Sequence, residues 1–130
     1  MRYIKLFEVY KNKILEQDVI DCFQDLNDSG FIVSVGKKKQ KKIICIDIIK
    51  KQKDDYSIDT FNIDDVKEVL LFAIPYISNT YDVKIRPFVV DCVSIHRITY
   101  IINNVDDLSK MIDDLKDNKI IDIYFKIENI

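Results

Sequence analysis

The chain has 130 residues, of which 48% are hydrophobic and 32% charged, with 22 acidic and 20 basic side chains giving a net charge of −2. That balance is that of a globular chain and not of a disordered one, and the length suits one domain with a real core. Two glycines and two prolines leave no material for a glycine-rich phosphate loop, and no stretch approaches the roughly 20 apolar residues of a membrane span.

In chain order, Tyr3 to Tyr10 carries Ile4, Phe7 and Tyr10 at helical spacing, with no small-residue cleavage site of a secretory signal. Val19, Ile20, Phe23 and Leu26 then form an apolar helical stripe with Asp18, Asp21 and Asp25 outside it. Asn27-Asp28-Ser29-Gly30 ends this helix, since glycine accepts the left-handed capping conformation. One long helix and two shorter ones both fit the segment.

A hairpin follows. Phe31, Val33 and Val35 alternate with Ile32 and Ser34, Gly36 to Lys42 form the connection, and Ile43 to Ile49 is a β-branched run interrupted by Cys45 and Asp47. After a polar stretch from Lys50 to Thr60, Asn62 caps a second helix with Asp64 and Asp65 in its first turn. Val66, Val69, Leu70, Ala73 and Ile77 line its core face, and Pro75 predicts a kink or break.

Two strands are predicted next, Val83 to Val90 and Val93 to Ile102, with a turn near Asp91; Pro87 makes the first an edge strand or gives it a bulge. Asn104 caps a third helix with Leu108, Met111, Ile112 and Leu115 inward, and Ile120 to Ile127 reads as a final strand. Hairpins interrupted by helices imply an α+β domain spanning residues 1–130: a mainly antiparallel sheet of about five strands with two to three helices on one face.

The strongest local feature is basic. Lys37, Lys38, Lys39, Lys41 and Lys42 crowd the hairpin connection, with Lys50, Lys51 and Lys53 just beyond. Residues 1–53 carry a net charge of +5 and residues 54–130 a net charge of −7. A lysine hairpin can lie along a phosphate backbone or meet a partner, although it lacks the interleaved aromatics that read bases. Lysines at a hairpin tip also serve simply to keep sheet edges apart. On the acidic side, Asp106, Asp107, Asp113, Asp114 and Asp117 fall on or beside the exposed side of the third helix. Such a face could mimic a nucleic-acid backbone, and it is also the ordinary solvated side of an amphipathic helix.

Catalytic and metal sites find little support. His96 is the one histidine, and Cys92, four residues away on a predicted extended segment, would lie about 13 Å along it. No cysteine pair has zinc spacing and no acidic loop has the glycine turn of a calcium site. Cys22, Cys45 and Cys92 are read as buried, reduced thiols. Asp82-Val83-Lys84 has the acid-x-lysine spacing of metal-dependent nucleases, with Asp47 as the distant acid, but a helix intervenes between the two strands. Neither a catalytic residue nor a cofactor or metal ligand is assigned.

The opening, Met1-Arg2-Tyr3-Ile4-Lys5-Leu6-Phe7-Glu8, resembles the start of many small proteins of large tailed bacteriophages. In such proteins short leaders direct entry into the prohead, and a protease cuts after Glu in a Leu/Ile-x-Glu pattern. Leu6-Phe7-Glu8 and Ile14-Leu15-Glu16 match that pattern, marking residues 1–16 as leader-like. Taken with the lack of an assignable site, the resemblance leads to the expectation of a non-catalytic phage protein acting by protein–protein contact, as a minor virion or head-associated component in the virion or the host cytoplasm. A factor that blocks a host nucleoprotein machine, and a small nucleic-acid-binding protein using the lysine hairpin, are the alternatives.

Overall fold

The structure is a computed structural model and describes residues 16–38, 43–51 and 58–129. The predicted Tyr3 to Tyr10 helical segment and the Leu6-Phe7-Glu8 motif lie outside the described residues, as does the second leader-like motif except for its Glu16. Two short helices open the chain, α1 (Glu16–Cys22) and α2 (Gln24–Asp28), separated at Phe23. Phe23 is fully buried beside Val19 and Leu26, so the apolar stripe runs across the break. Gly30 has a φ of +91° and ends the unit in the left-handed conformation that a side chain would oppose.

Strands β1 (Phe31–Lys38) and β2 (Ile43–Lys51) form the hairpin, with Phe31 opposite Lys50 and Lys38 opposite Ile43. The predicted connection is thereby shortened, because Gly36, Lys37 and Lys38 remain in the ladder. A short β3 (Ile58–Asp59) pairs with the end of β2, inside the stretch read as polar connection. On the outer edge of β1 the Val33 amide donates to Asn27 Oδ1 at 3.1 Å, so the end of α2 covers part of that edge.

Asn62 precedes a 3₁₀ turn, Ile63–Asp65, and its backbone N–H donates to Asp65 Oδ2 at 3.1 Å. Helix α3 (Lys67–Thr80) follows and runs through Pro75 as one helix, so that of the two outcomes expected there, a kink or a break, the break does not occur. The turn losing its i−4 bond carries Leu71 and Phe72, both exposed, so water can satisfy the freed carbonyl. Buried Leu70, Ala73 and Ile77 hold the opposite side against the core.

The next segment is one strand lane in two pieces, β4 (Val83–Ile85) and β5 (Phe88–Cys92), followed by β6 (Ile98–Tyr100), α4 (Val105–Asp114) and β7 (Ile120–Asn129). Ile85 faces Ile127 on β7 but Val89 faces Tyr124, so one extra residue is accommodated at Arg86-Pro87. That is the bulge Pro87 calls for. Val93 to Arg97, predicted to begin a strand, is instead the turn into β6. There the Asp91 carboxylate accepts the Arg97 amide at 3.1 Å and the Cys92 amide donates to the Ile95 carbonyl. Arg97 sits at φ 53°, an uncommon conformation for a residue with a side chain.

All pairings are antiparallel, in the order β1-β2-β7-β5-β6, with β3 added to β2 and β4 to β7. One face is the core: Ile44, Ile46, Ile48, Phe88, Val90, Ile123, Phe125 and Ile127 are buried with the apolar sides of α1, α3 and α4. Phe125 stacks on Phe88 with ring centroids 4.2 Å apart and meets Phe23 at 6.3 Å. Burying each such side chain contributes about 1.5–3 kcal/mol. The α+β class and the mainly antiparallel sheet are as the sequence implies.

Candidate functional site

The ladder separates the lysines. Lys37 and Lys38 are exposed at the far end of β1, while Lys50 sits opposite Phe31 with its ammonium 5.9 Å from that ring. Six residues of strand separate Ile44, the partner of Lys37, from Lys50, which is roughly 20 Å. Lys50 and Lys51 therefore form a separate group at the base of the hairpin. Lys39, Lys41, Lys42 and Lys53 lie outside the described residues.

The residues considered for catalysis are not gathered. His96 is exposed in the Val93 to Arg97 turn, not on a strand, whereas Cys92 is buried. Cys22 and Cys45 are only partly buried, which corrects the expectation for two of the three thiols, and all three are free. Burial and the nearby Asp18 and Asp21 charges push the Cys22 thiol up to about 11, keeping it protonated and unreactive at neutral pH. Asp82 and Lys84 stand at β4, with the whole of β7 between them and Asp47 on β2. Among the described residues no group of three or more His, Cys, Asp or Glu could hold a metal ion.

Sequence reasoning missed three arrangements. On the sheet face away from the helices, Asp91 on β5 is directly opposite Asp122 on β7, and Asp47 on β2 is the diagonal neighbour. Burial, a hydrogen bond shared with Asp47, and the Asp47 and Asp91 charges push the Asp122 carboxyl up to about 8, so it holds a proton at neutral pH. The second arrangement joins α1 to α3: Tyr76 donates to Asp18 Oδ2 at 3.0 Å, and Tyr81 donates to the same oxygen. Asp18, expected outside the helix stripe, is thus an internal anchor. Nearby, Asp21, Asp25, Asp64, Asp65 and Glu68 line an acidic groove with Phe72, a residue that is 61% exposed.

The third arrangement is a groove of about 480 Å³ beside β4. Ile74 and Pro75 of α3 form one wall and Ile102 and Val105 the other, with Ile85 also lining it. Asn79 and Asn103 supply neutral polar groups. Val105, which lines the groove, is 50% exposed, and Ile101, the chain neighbour of the lining residue Ile102, is 67% exposed outside the lining, an unusual exposure for two aliphatic residues so close in sequence.

The groove exists because β6 leaves the sheet early. Its pairing with β5 ends at Tyr100 opposite Phe88, after which the chain turns away and Asn104 caps α4 by accepting the Asp107 amide at 2.9 Å. Among the described residues no strand occupies the lane beside β4. The Arg86 amide donates to the Lys126 carbonyl on β7 at 2.8 Å. By the antiparallel alternation Lys84 also turns its main-chain groups to β7, whereas those of Val83 and Ile85 point out along the open edge. Among the described residues β4 pairs with β7 alone.

The acids on and just after α4 are largely solvated: Asp106, Asp113 and Asp117 are exposed, and Asp107 is spent on capping, accepting the Asn103 amide. Asp114, also exposed, accepts a hydrogen bond from Tyr100. No helix among the described residues is long and apolar enough to cross a membrane. No protein-family model matches the chain, and no curated protein or solved structure matches it significantly.

Proposed function

We propose that this chain acts by protein–protein contact and not by catalysis, using the groove beside β4 as its contact surface. One observation carries the reading: an apolar groove, with half-exposed Val105 in its lining, opens onto an edge of β4 that pairs with no strand among the described residues. Binding surfaces combine those two properties, because apolar burial supplies affinity and main-chain groups fix orientation. The side chains lining the groove include no carboxylate, histidine or cysteine that would move a proton or hold a metal. The setting we propose is a tailed-phage particle, in line with the opening residues; a host protein is the alternative partner.

A second reading, contact with nucleic acid, is favoured by exposed Lys37 and Lys38 at the far end of the hairpin. One experiment separates the two. The full chain, and a variant carrying Ile101→Asp and Val105→Asp, are used to capture partners from source-cell extract with and without nuclease. Both positions are exposed, so the variant keeps its core. Capture of a protein that survives nuclease and is lost with the variant is the expected outcome. Equal capture by both proteins would remove the groove from the function, and capture abolished by nuclease would transfer the function to the lysines. Mass spectrometry of purified particles then distinguishes a virion component from a factor present only in infected cells.

A further inference from the structure

We infer that the groove accepts an extended segment of a partner protein, added to the sheet as a new strand beside β4, with the pattern apolar–acidic–apolar. The inference rests on the contact reading above and specifies its partner.

The backbone supplies the first half of the argument. A strand needs about 4.8 Å of lateral room and a row of free donors and acceptors on its neighbour. With the departure of Ile101 to Asn104 from the sheet, no described residue pairs along that lane, and Val83 and Ile85 turn two N–H and two C=O groups toward it. An incoming main chain would pair these groups without disturbing the β4–β7 ladder, as in strand addition at other open sheet edges.

The side chains supply the pattern. Residues opposite Val83 and Ile85 must point to the same face as those two, which is the face packed on the core. On that side lies the groove, whose Ile74, Pro75, Ile102 and Val105 make room for two branched aliphatic side chains. The residue between them, opposite Lys84, must point to the other face. Lys84 also borders the groove, but the strand alternation puts its exposed side chain on the face of Glu128, whose carboxylate is engaged by Arg86, with Nε and Nη2 2.6 and 2.5 Å from Oε2. The cation at this position therefore complements an acidic residue on the incoming strand.

The test uses the full isotope-labelled chain and a capped pentapeptide of threonine, valine, glutamate, valine and threonine, with a counterpart in which lysine replaces glutamate. At saturation the glutamate peptide is expected to slow hydrogen exchange at the Val83 and Ile85 amides by about fivefold or more, the effect of roughly one net hydrogen bond. The methyl signals of Ile74, Ile102 and Val105 are expected to move with it. Lys84→Glu lies at an exposed position and should reverse the peptide preference by about two- to fivefold on each side, as suits a solvent-exposed ion pair. Unchanged exchange at Val83 and Ile85, or indifference to the charge swap in both proteins, would overturn the inference. Capture that still depends on Ile101 and Val105 would in that case leave the contact reading standing, so the two failures are distinguishable.

Discussion

The two faces of the sheet are made by alternate residues of the same strands, yet they follow different rules. On the helix-covered face β2 contributes Ile44, Ile46 and Ile48 and β7 contributes Ile123, Phe125 and Ile127, all fully buried. On the other face the same two strands place Cys45, Asp47, Asp122, Tyr124 and Lys126, all partly buried. The covered face gains by close packing of like with like. The other face holds carboxylates beside one another, one of which must keep its proton to stay there. Stability is thus concentrated on one side of a single pleated layer, and ionisation chemistry on the other.

The comparison is broken most severely from the covered side. Phe125→Ala removes a ring packed on both Phe88 and Phe23, and should cost about 3–5 kcal/mol in chemical denaturation, against a core that cannot fully collapse into the space. A smaller, pH-dependent effect of opposite sign is expected from Asp122→Asn. The folded protein holds the Asp122 proton up to about pH 8, whereas the unfolded chain releases it near the ordinary carboxylate value. This group's contribution is therefore fully present below about pH 4 and is lost as pH rises through about 8. Thermal unfolding at pH 9 should find Asp122→Asn more stable than the parent by on the order of 1 kcal/mol, after allowance for solvent screening, with the difference vanishing toward pH 4. The smallest effect belongs to Lys126→Ala, which removes an ammonium 5.9 Å from the Tyr124 ring and should cost about 0.5 kcal/mol. A loss as large as that of Phe125→Ala would mean that the two faces share one energetic core.

Much of the covered face was legible in the sequence because its periodicity is local. Leu108, Met111, Ile112 and Leu115 mark α4 and Asn104 marks its start, and every one of those residues does what its spacing implies. The bulge in the β4–β5 lane also left a trace. Val83 and Ile85 are two apart, then Phe88, Val90 and Cys92 are again two apart, but Ile85 and Phe88 are three apart. That phase slip is a strand changing parity at Arg86-Pro87. The turn at Val93 to Arg97 escaped detection since its apolar Val93 and Ile95 imitate a strand, while the hydrogen bond from the Arg97 amide to Asp91 is a matter of geometry. The candidate groove was invisible for a deeper reason. It arises from β4 and β5 sharing one side of β7, and from β6 reaching only one of them, which no local pattern encodes. The lysines were easy to find, but the hairpin register that parts Lys37 and Lys38 from Lys50 was not.

The hydrogen bond from the Val33 amide to Asn27 has a consequence for concentrated solutions. An eight-residue outer strand with Phe31, Val33 and Val35 along it is the kind of rail on which one molecule can template the next into a growing fibre. Such growth needs consecutive free amides, and a single side chain from the end of a helix already occupies one of them near the middle of the rail. Farther along, Lys37 and Lys38 repel an approaching copy by charge. The chain thus carries two unlike brakes on polymerisation along one strand, one covalently local and insensitive to salt, the other electrostatic and weakened by it.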